Sequence, residues 1–206
     1  MNIFERIPRR EWKDLIIAWV AISVSFALIF IRVLFIQGGV QFIDVVTIFG
    51  IAFVTAGISF VLHEMAHKFT AIKFGFWAEF QKDSQMLLVA IGLAALVGIV
   101  FAAPGVTMIY GNSITREQNG KISLAGPLTN LLLCIPFGAL SFYNPSGMIG
   151  LVGMVGLQVN AMIAFFNMLP FGVLDGKKIF AWNIPIFIAI FAIALGILYS
   201  ALRFLF

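Results

Sequence analysis

The chain has 206 residues, 62% of them apolar and only 11% charged, with a mean hydropathy of +1.07 and a net charge of +4. Soluble domains run about 45–50% apolar and about 25% charged, so this composition excludes an ordinary cytosolic enzyme, a disordered chain and a secreted disulfide scaffold. The single cysteine, Cys134, excludes an internal disulfide and a cysteine-based zinc site, and the positive balance reads as the loops of a membrane protein, with no nucleic acid implied.

A basic, polar start from Ile7 to Lys13 leads into an apolar run from Leu15 to Ile36, broken only by Arg32. The run is too long for a signal-peptide core and reads as a first span, with Arg32 snorkelling to the far interface. A second run, Val45 to Phe74, is longer than a ~30 Å bilayer core needs, so its end should protrude with Lys68 and Lys73. Glu79 to Ser84 is polar. Met86 to Tyr110 is apolar but broken by Gly92, Gly98 and Pro104-Gly105, and Asn112 to Lys121 is polar again. Ile122 to Phe142 is a span, and Asn144-Pro-Ser-Gly147 marks a turn. Met148 to Leu169 is a span ended by Pro170, and Ile184 to Leu205 is the last. The expected fold is an all-α polytopic membrane protein with five to six transmembrane helices. A re-entrant or short β element lies between the second and third full spans.

The only two histidines, His63 and His67, stand four apart inside the second run, with Glu64 after the first. On a helix, that spacing places two imidazoles on one face, about 5–6 Å apart at Cβ, where both can reach one Zn²⁺. Glu64 is rotated off the ligand face and is free to act on a metal-activated water. Two imidazoles and a carboxylate in hydrocarbon each cost up to several kcal/mol unless satisfied, which favours a metal site over structural histidines. No third histidine exists. Among the carboxylates, Asp175 is the best remaining ligand, because it follows a span in the apolar stretch Phe171 to Gly176. Two alternatives stand: Asp175 as the N-cap of a helix starting at Lys177, and Glu79 as third ligand if the chain folds straight back after His67. Asn130 and Asn167 are further polar residues within spans. Asn160 is another, read as packing.

Three motifs, His63-Glu-Met-Ala-His67, Ala125-Gly-Pro-Leu-Thr-Asn130 and Asn167-Met-Leu-Pro-Phe-Gly-Val-Leu-Asp175-Gly176, resemble in content and order those of the site-2 protease family of intramembrane zinc metalloproteases. The resemblance covers roughly Val45 to Phe180. It implies one Zn²⁺ per chain held by His63, His67 and Asp175, with Glu64 as the catalytic base. It also puts Asn130 and Asn167 near the active site as substrate-binding or oxyanion groups. The implied partners are transmembrane protein substrates, often anchored transcription regulators or signal-peptide remnants, together with the lipid bilayer. The expected organisation is a single membrane-embedded metalloprotease domain over residues 1–206, with its catalytic core at about 45–180 and no PDZ or CBS module. Gly176-Lys177-Lys178 departs from the Gly-Gly-Arg of many relatives.

The expected activity is that of an intramembrane zinc endopeptidase acting in regulated intramembrane proteolysis. The alternative is a non-catalytic membrane protein using the same core for metal transport or substrate binding. An extended substrate is needed, because a helix hides its carbonyls, and Val100 to Ile109 is a candidate strand whose edge could receive it. If Met86 to Tyr110 re-enters and returns, eleven of the thirteen Lys and Arg fall on one side, leaving only Arg32 and Arg203 opposite. If it crosses, the division is eight to five. The rule that positive charge stays inside favours the first path, in the cell membrane, with the N-terminus and active site toward the cytoplasm.

Overall fold

The computed structural model describes residues 7–100, 105–111 and 113–203. Its elements are α1 (Arg9–Gln37), α2 (Phe42–Lys73), β1 (Trp77–Lys82), α3 (Ser84–Leu96), β2 (Gly105–Tyr110), α4 (Arg116–Tyr143), α5 (Met148–Asn167), α6 (Asp175–Trp182) and α7 (Ile184–Leu202). Among the described residues five helices, α1, α2, α4, α5 and α7, are long and apolar enough to cross a membrane. The protein is a multi-pass, all-α membrane protein with one small two-stranded sheet.

Helix starts follow local chemistry. Gln41 and Asp44 form a capping box at α2, and Thr115 and Gln118 form another at α4. Asp83 accepts the N–H groups of Gln85 and Met86 at the start of α3, and Asn183 accepts that of Ile186 at α7. The main core lies between α1 and α2, around Leu15, Ile22, Phe26, Ala52 and Phe60, and continues to Val155 and Val159 of α5. Helices α4 and α5 approach closely because Gly153 and Gly156 have no Cβ. One at Gly153 would overlap the backbone of Ser141, and one at Gly156 the ring of Phe137.

Between the second and third full spans the chain makes an excursion and returns. Helix α3 has 13 residues, about 20 Å at the helical rise, too short for a bilayer core. Strands β1 and β2 pair antiparallel with Trp77 opposite Tyr110 and Lys82 opposite Gly105. The pairing brings the chain back beside the end of α2, so α4 starts at the end of the bundle where α2 finishes. The segment read as Met86 to Tyr110 therefore does not cross. Its strand expected over Val100 to Ile109 is β2, Gly105–Tyr110. Phe101 to Pro104 lie outside the described residues, as do Arg6 of the charge count, Asn112 of the polar stretch and Leu205 of the last span.

The structure adds to three expectations. Glu79 to Ser84, read as polar, is partly strand: β1, Trp77–Lys82, buries Ala78 and Phe80. Lys68 is not a solvated charge at the end of α2: it is 0% exposed and paired with Glu11, also 0% exposed, in the first turn of α1. Arg32 donates to the carbonyls of Ala95 and Leu96, where the last turn of α3 leaves acceptors unpaired.

Candidate metal centre

The site forms where α2, α4 and α6 meet. His63 and His67 lie one turn apart on α2, their rings edge to face at 4.6 Å between centroids. The His63 and His67 Nε2 atoms are 3.0 Å apart. Asp175 Oδ2 stands 3.3 Å from the first and 3.1 Å from the second. Asp175 opens α6 as its first residue, after the N-cap Leu174, so its side chain is spent on the imidazoles and not on capping. Gly176 follows because a Cβ there would overlap the carbonyls of Met168 and Leu169. All three side chains are buried.

The hydrogen bonds fix the tautomers. Ile122 offers His67 Nδ1 a carbonyl at 2.8 Å, which can only accept, so Nδ1 carries the hydrogen. His63 Nδ1 donates to Asn130 Oδ1 at 2.6 Å, since the Asn130 amide nitrogen already donates to Asn160 Oδ1 and the Ser59 carbonyl. Asn160 in turn donates to Ser59 Oγ and the Gly156 carbonyl. With Nδ1 carrying the hydrogen, each ring in its neutral form turns an Nε2 lone pair toward the Asp175 carboxylate, so that three potential ligand atoms converge. Such a set calls for a cation, and two imidazoles with one carboxylate suit zinc. Gly126 of α4 faces the same point, where a Cβ would overlap both Nε2 atoms, so the position over the imidazoles stays open only for glycine. The donor set fits Zn²⁺.

Glu64 lines the same small cavity of about 50 Å³, room for a water or two, together with His63, His67, Thr107, Asn167 and Asp175. Thr107 of β2 donates to Glu64 Oε2 at 2.8 Å. The structure thus brings together His63, Glu64, His67 and Asp175. Asn167 reaches the cavity wall, with its amide donating to the Ile163 carbonyl. Asn130 does not line the cavity: it is fully buried behind His63, and its N–H groups are taken. Glu79 sits on β1, opposite Met108, outside the cluster.

Sequence reasoning missed Ser59, Thr107, Gly126 and the Ile122 carbonyl, and read Asn160 as packing. For Asn160 a signal existed, since an amide inside an apolar span needs a partner. For a strand threonine or a backbone carbonyl there was none.

Comparison with known proteins agrees with this geometry. The model of Peptidase family M50 matches residues 51–149. "Putative zinc metalloprotease MJ0611" of Methanocaldococcus jannaschii is 36% identical over 184 residues, 89% of each chain. "Putative zinc metalloprotease YwhC" of Bacillus subtilis is 29% identical over 150 residues, 64% of this chain and 68% of that one. "Zinc metalloprotease MJ0392" of M. jannaschii is 26% identical over 159 residues, 77% of this chain but 41% of that longer one. No solved structure matches the chain. With the zinc-compatible trio in place, the chain belongs to peptidase family M50, the site-2 protease family of zinc metalloproteases.

Proposed function

We propose that the protein is an intramembrane zinc endopeptidase that hydrolyses peptide bonds within or near transmembrane segments of other membrane proteins. The observation that carries this reading is the convergence of His63, His67 and Asp175 beside the Glu64 carboxylate, in a water-sized cavity inside a bundle of membrane-crossing helices.

His63, His67 and Asp175 would hold the metal, the imidazoles through Nε2. Zinc bound there supplies Lewis acidity, polarising a peptide carbonyl and bringing the acidity of water near neutrality. Glu64 takes the proton of the attacking water and returns it to the leaving amine. Asn130 positions His63 by accepting its Nδ1 hydrogen, and the Ile122 carbonyl does the same for His67. Asn167 keeps the role of a substrate-binding or oxyanion group at the cavity wall. Strand β2 lines the cavity with Gly105, Val106, Thr107 and Ile109, and its edge away from β1 receives the unwound substrate as an added strand. The whole chain acts as one membrane-embedded domain. Its N-terminus and active site lie toward the cytoplasmic side of the cell membrane, a reading supported by ten of the twelve described Lys and Arg at that end.

The test is zinc content measured alongside cleavage of a transmembrane substrate. Glu64→Gln should keep the metal and lose at least about a hundredfold in rate, the usual contribution of a general base. His63→Ala, His67→Ala and Asp175→Ala should lose both, whereas Glu79→Ala should keep both. Normal cleavage by Glu64→Gln, or full activity in metal-free protein, would overturn the proposal.

A further inference from the structure

Beside the metal cavity lies a larger one of about 460 Å³. Val106 of β2, Arg116 and Asn119 of α4, Val173 before α6, and Lys177 and Lys178 of α6 contribute to its wall. Val106, Val173 and Lys178 line both cavities, so the two share a wall. The larger cavity is lined by three cations and no carboxylate. Charge enriched at one end of a membrane protein does not account for this. Lys68 and Lys121 lie at the same end and have acidic partners, Glu11 and Glu117. Arg116, Lys177 and Lys178 have none among the described residues, and Asp175 is turned to the imidazoles. Like charges gathered in one concavity focus a positive potential and repel one another until an anion enters.

We infer that this cavity is a specificity subsite for a carboxylate side chain, Asp or Glu, of the polypeptide being cut. The inference rests on the protease reading above and adds a substrate preference to it. The shared wall fixes where the acidic residue falls. Lys178 stands three positions after Asp175 on one helix, about 5–6 Å away at Cβ. A substrate extended along β2 advances about 3.3 Å per residue, so the carboxylate belongs about two residues from the scissile bond. An anionic lipid headgroup offers similar charge but has no reason to lie against β2 next to the cleavage cavity.

The experiment uses the full chain in detergent and a set of single-span model substrates. These are identical except for one Asp, Asn or Lys at each of four positions on either side of the cleaved bond. Their kcat/KM values are compared, with Glu64→Gln as the blank. Asp at one or two neighbouring positions should be favoured over Asn about fivefold, the scale of a solvent-accessible ion pair, with Lys disfavoured. K177Q/K178Q should bring the Asp-to-Asn ratio toward one, and K177E/K178E should reverse the preference in favour of Lys. A purely structural role would slow all substrates alike. An unchanged preference profile in the charge-reversed protein overturns the inference and leaves the protease reading intact. Absence of any Glu64-dependent cleavage rejects the protease reading itself. The series is repeated in phosphatidylcholine vesicles with and without phosphatidylglycerol. A loss on K177Q/K178Q that appears only with anionic lipid, and equally for every substrate, assigns the cations to headgroups and also overturns the inference.

Discussion

Thr107 and Glu64 are 43 positions apart, and the hydroxyl of the first donates to the carboxylate of the second at 2.8 Å. The bond joins the edge strand β2 to the residue between the two imidazoles. Its geometry is set from behind. Thr107 pairs with Phe80 across the sheet, and the Phe80 N–H donates to Glu11 Oε1 at 3.1 Å. The other oxygen of Glu11 holds Lys68, the residue after His67. A closed path therefore runs from α2 through α1 and the sheet back to α2. It fixes how far β2 stands from the metal centre.

That path makes Thr107 a positioning residue. Thr107→Val keeps the shape but removes the donor, leaving the Glu64 carboxylate free to turn. A hydrogen bond to a charged group contributes about 1.5–3 kcal/mol, so kcat should fall about tenfold or more, with zinc content unchanged. Thr107→Ser retains the hydroxyl and should recover most of the rate. Equal activity of the Val and Ser variants would show that the bond has no part in turnover.

Asn130 should be read through metal affinity and not through turnover alone. It fixes His63 with Nδ1 protonated, and groups in that position typically account for about 10–100-fold in metal binding. Asn130→Ala should therefore lose zinc to a competing chelator at lower chelator concentration than the wild type, and Asn130→Asp should restore retention. Asn160→Ala acts one bond further out and should give a smaller effect in the same direction. A slower Asn130→Ala enzyme with wild-type zinc retention would instead assign the amide to the reaction.

The metal centre was legible because its chemistry is expensive where it sits. His63, Glu64, His67 and Asp175 are polar groups in or beside apolar runs, and hydrocarbon leaves such groups few roles. The five long spans were legible for the same reason in reverse, as continuous apolar sequence. The short strand β1 was not: six residues with two buried side chains give too brief an alternation to separate from a loop. The burial of Lys68 was not legible because it lies near the end of a run, where charge ordinarily meets water. Its pairing with Glu11 depends on a contact across 57 positions, which no local pattern records. Asn130 bonds to His63, but its sequence neighbours do not say whether its amide faces the cavity or the back of that ring.

The Glu11–Lys68 pair is fully buried, so it should behave asymmetrically under substitution. Removing one partner leaves an uncompensated charge, at a cost of about 3–5 kcal/mol, whereas replacing both by apolar residues of similar volume is often neutral. Glu11→Leu alone should sharply lower resistance to thermal unfolding in detergent. Glu11→Leu combined with Lys68→Met should recover most of it. The double variant still lacks the acceptor for the Phe80 N–H, so its strand should be less well held and its turnover lower than its stability implies. A single variant as stable as the wild type would mean that water reaches the pair.

The path of the chain through the membrane can be tested at three positions. The pairing of Trp77 with Tyr110 returns the excursion to the end of α2, and α4 starts there. Helix α5 must then run back to that same end, because Asp175 meets His67 directly after it. Ser113 and Lys178 consequently share one side, and Ser146, in the turn between α4 and α5, lies on the other. Ten of the twelve described Lys and Arg lie with Ser113 and Lys178, so the orientation proposed above puts that side in the cytoplasm. Cys134 is the only native thiol, so Cys134→Ala supplies a clean background for single cysteines. In intact cells an impermeant thiol reagent should label a cysteine at 146 and leave those at 113 and 178 untouched until the membrane is opened. Labelling at 113 and 178 with protection at 146 would reverse the orientation while keeping the fold. Different behaviour at 113 and 178 would break the five-span path, and the shared depth of His67 and Asp175 with it.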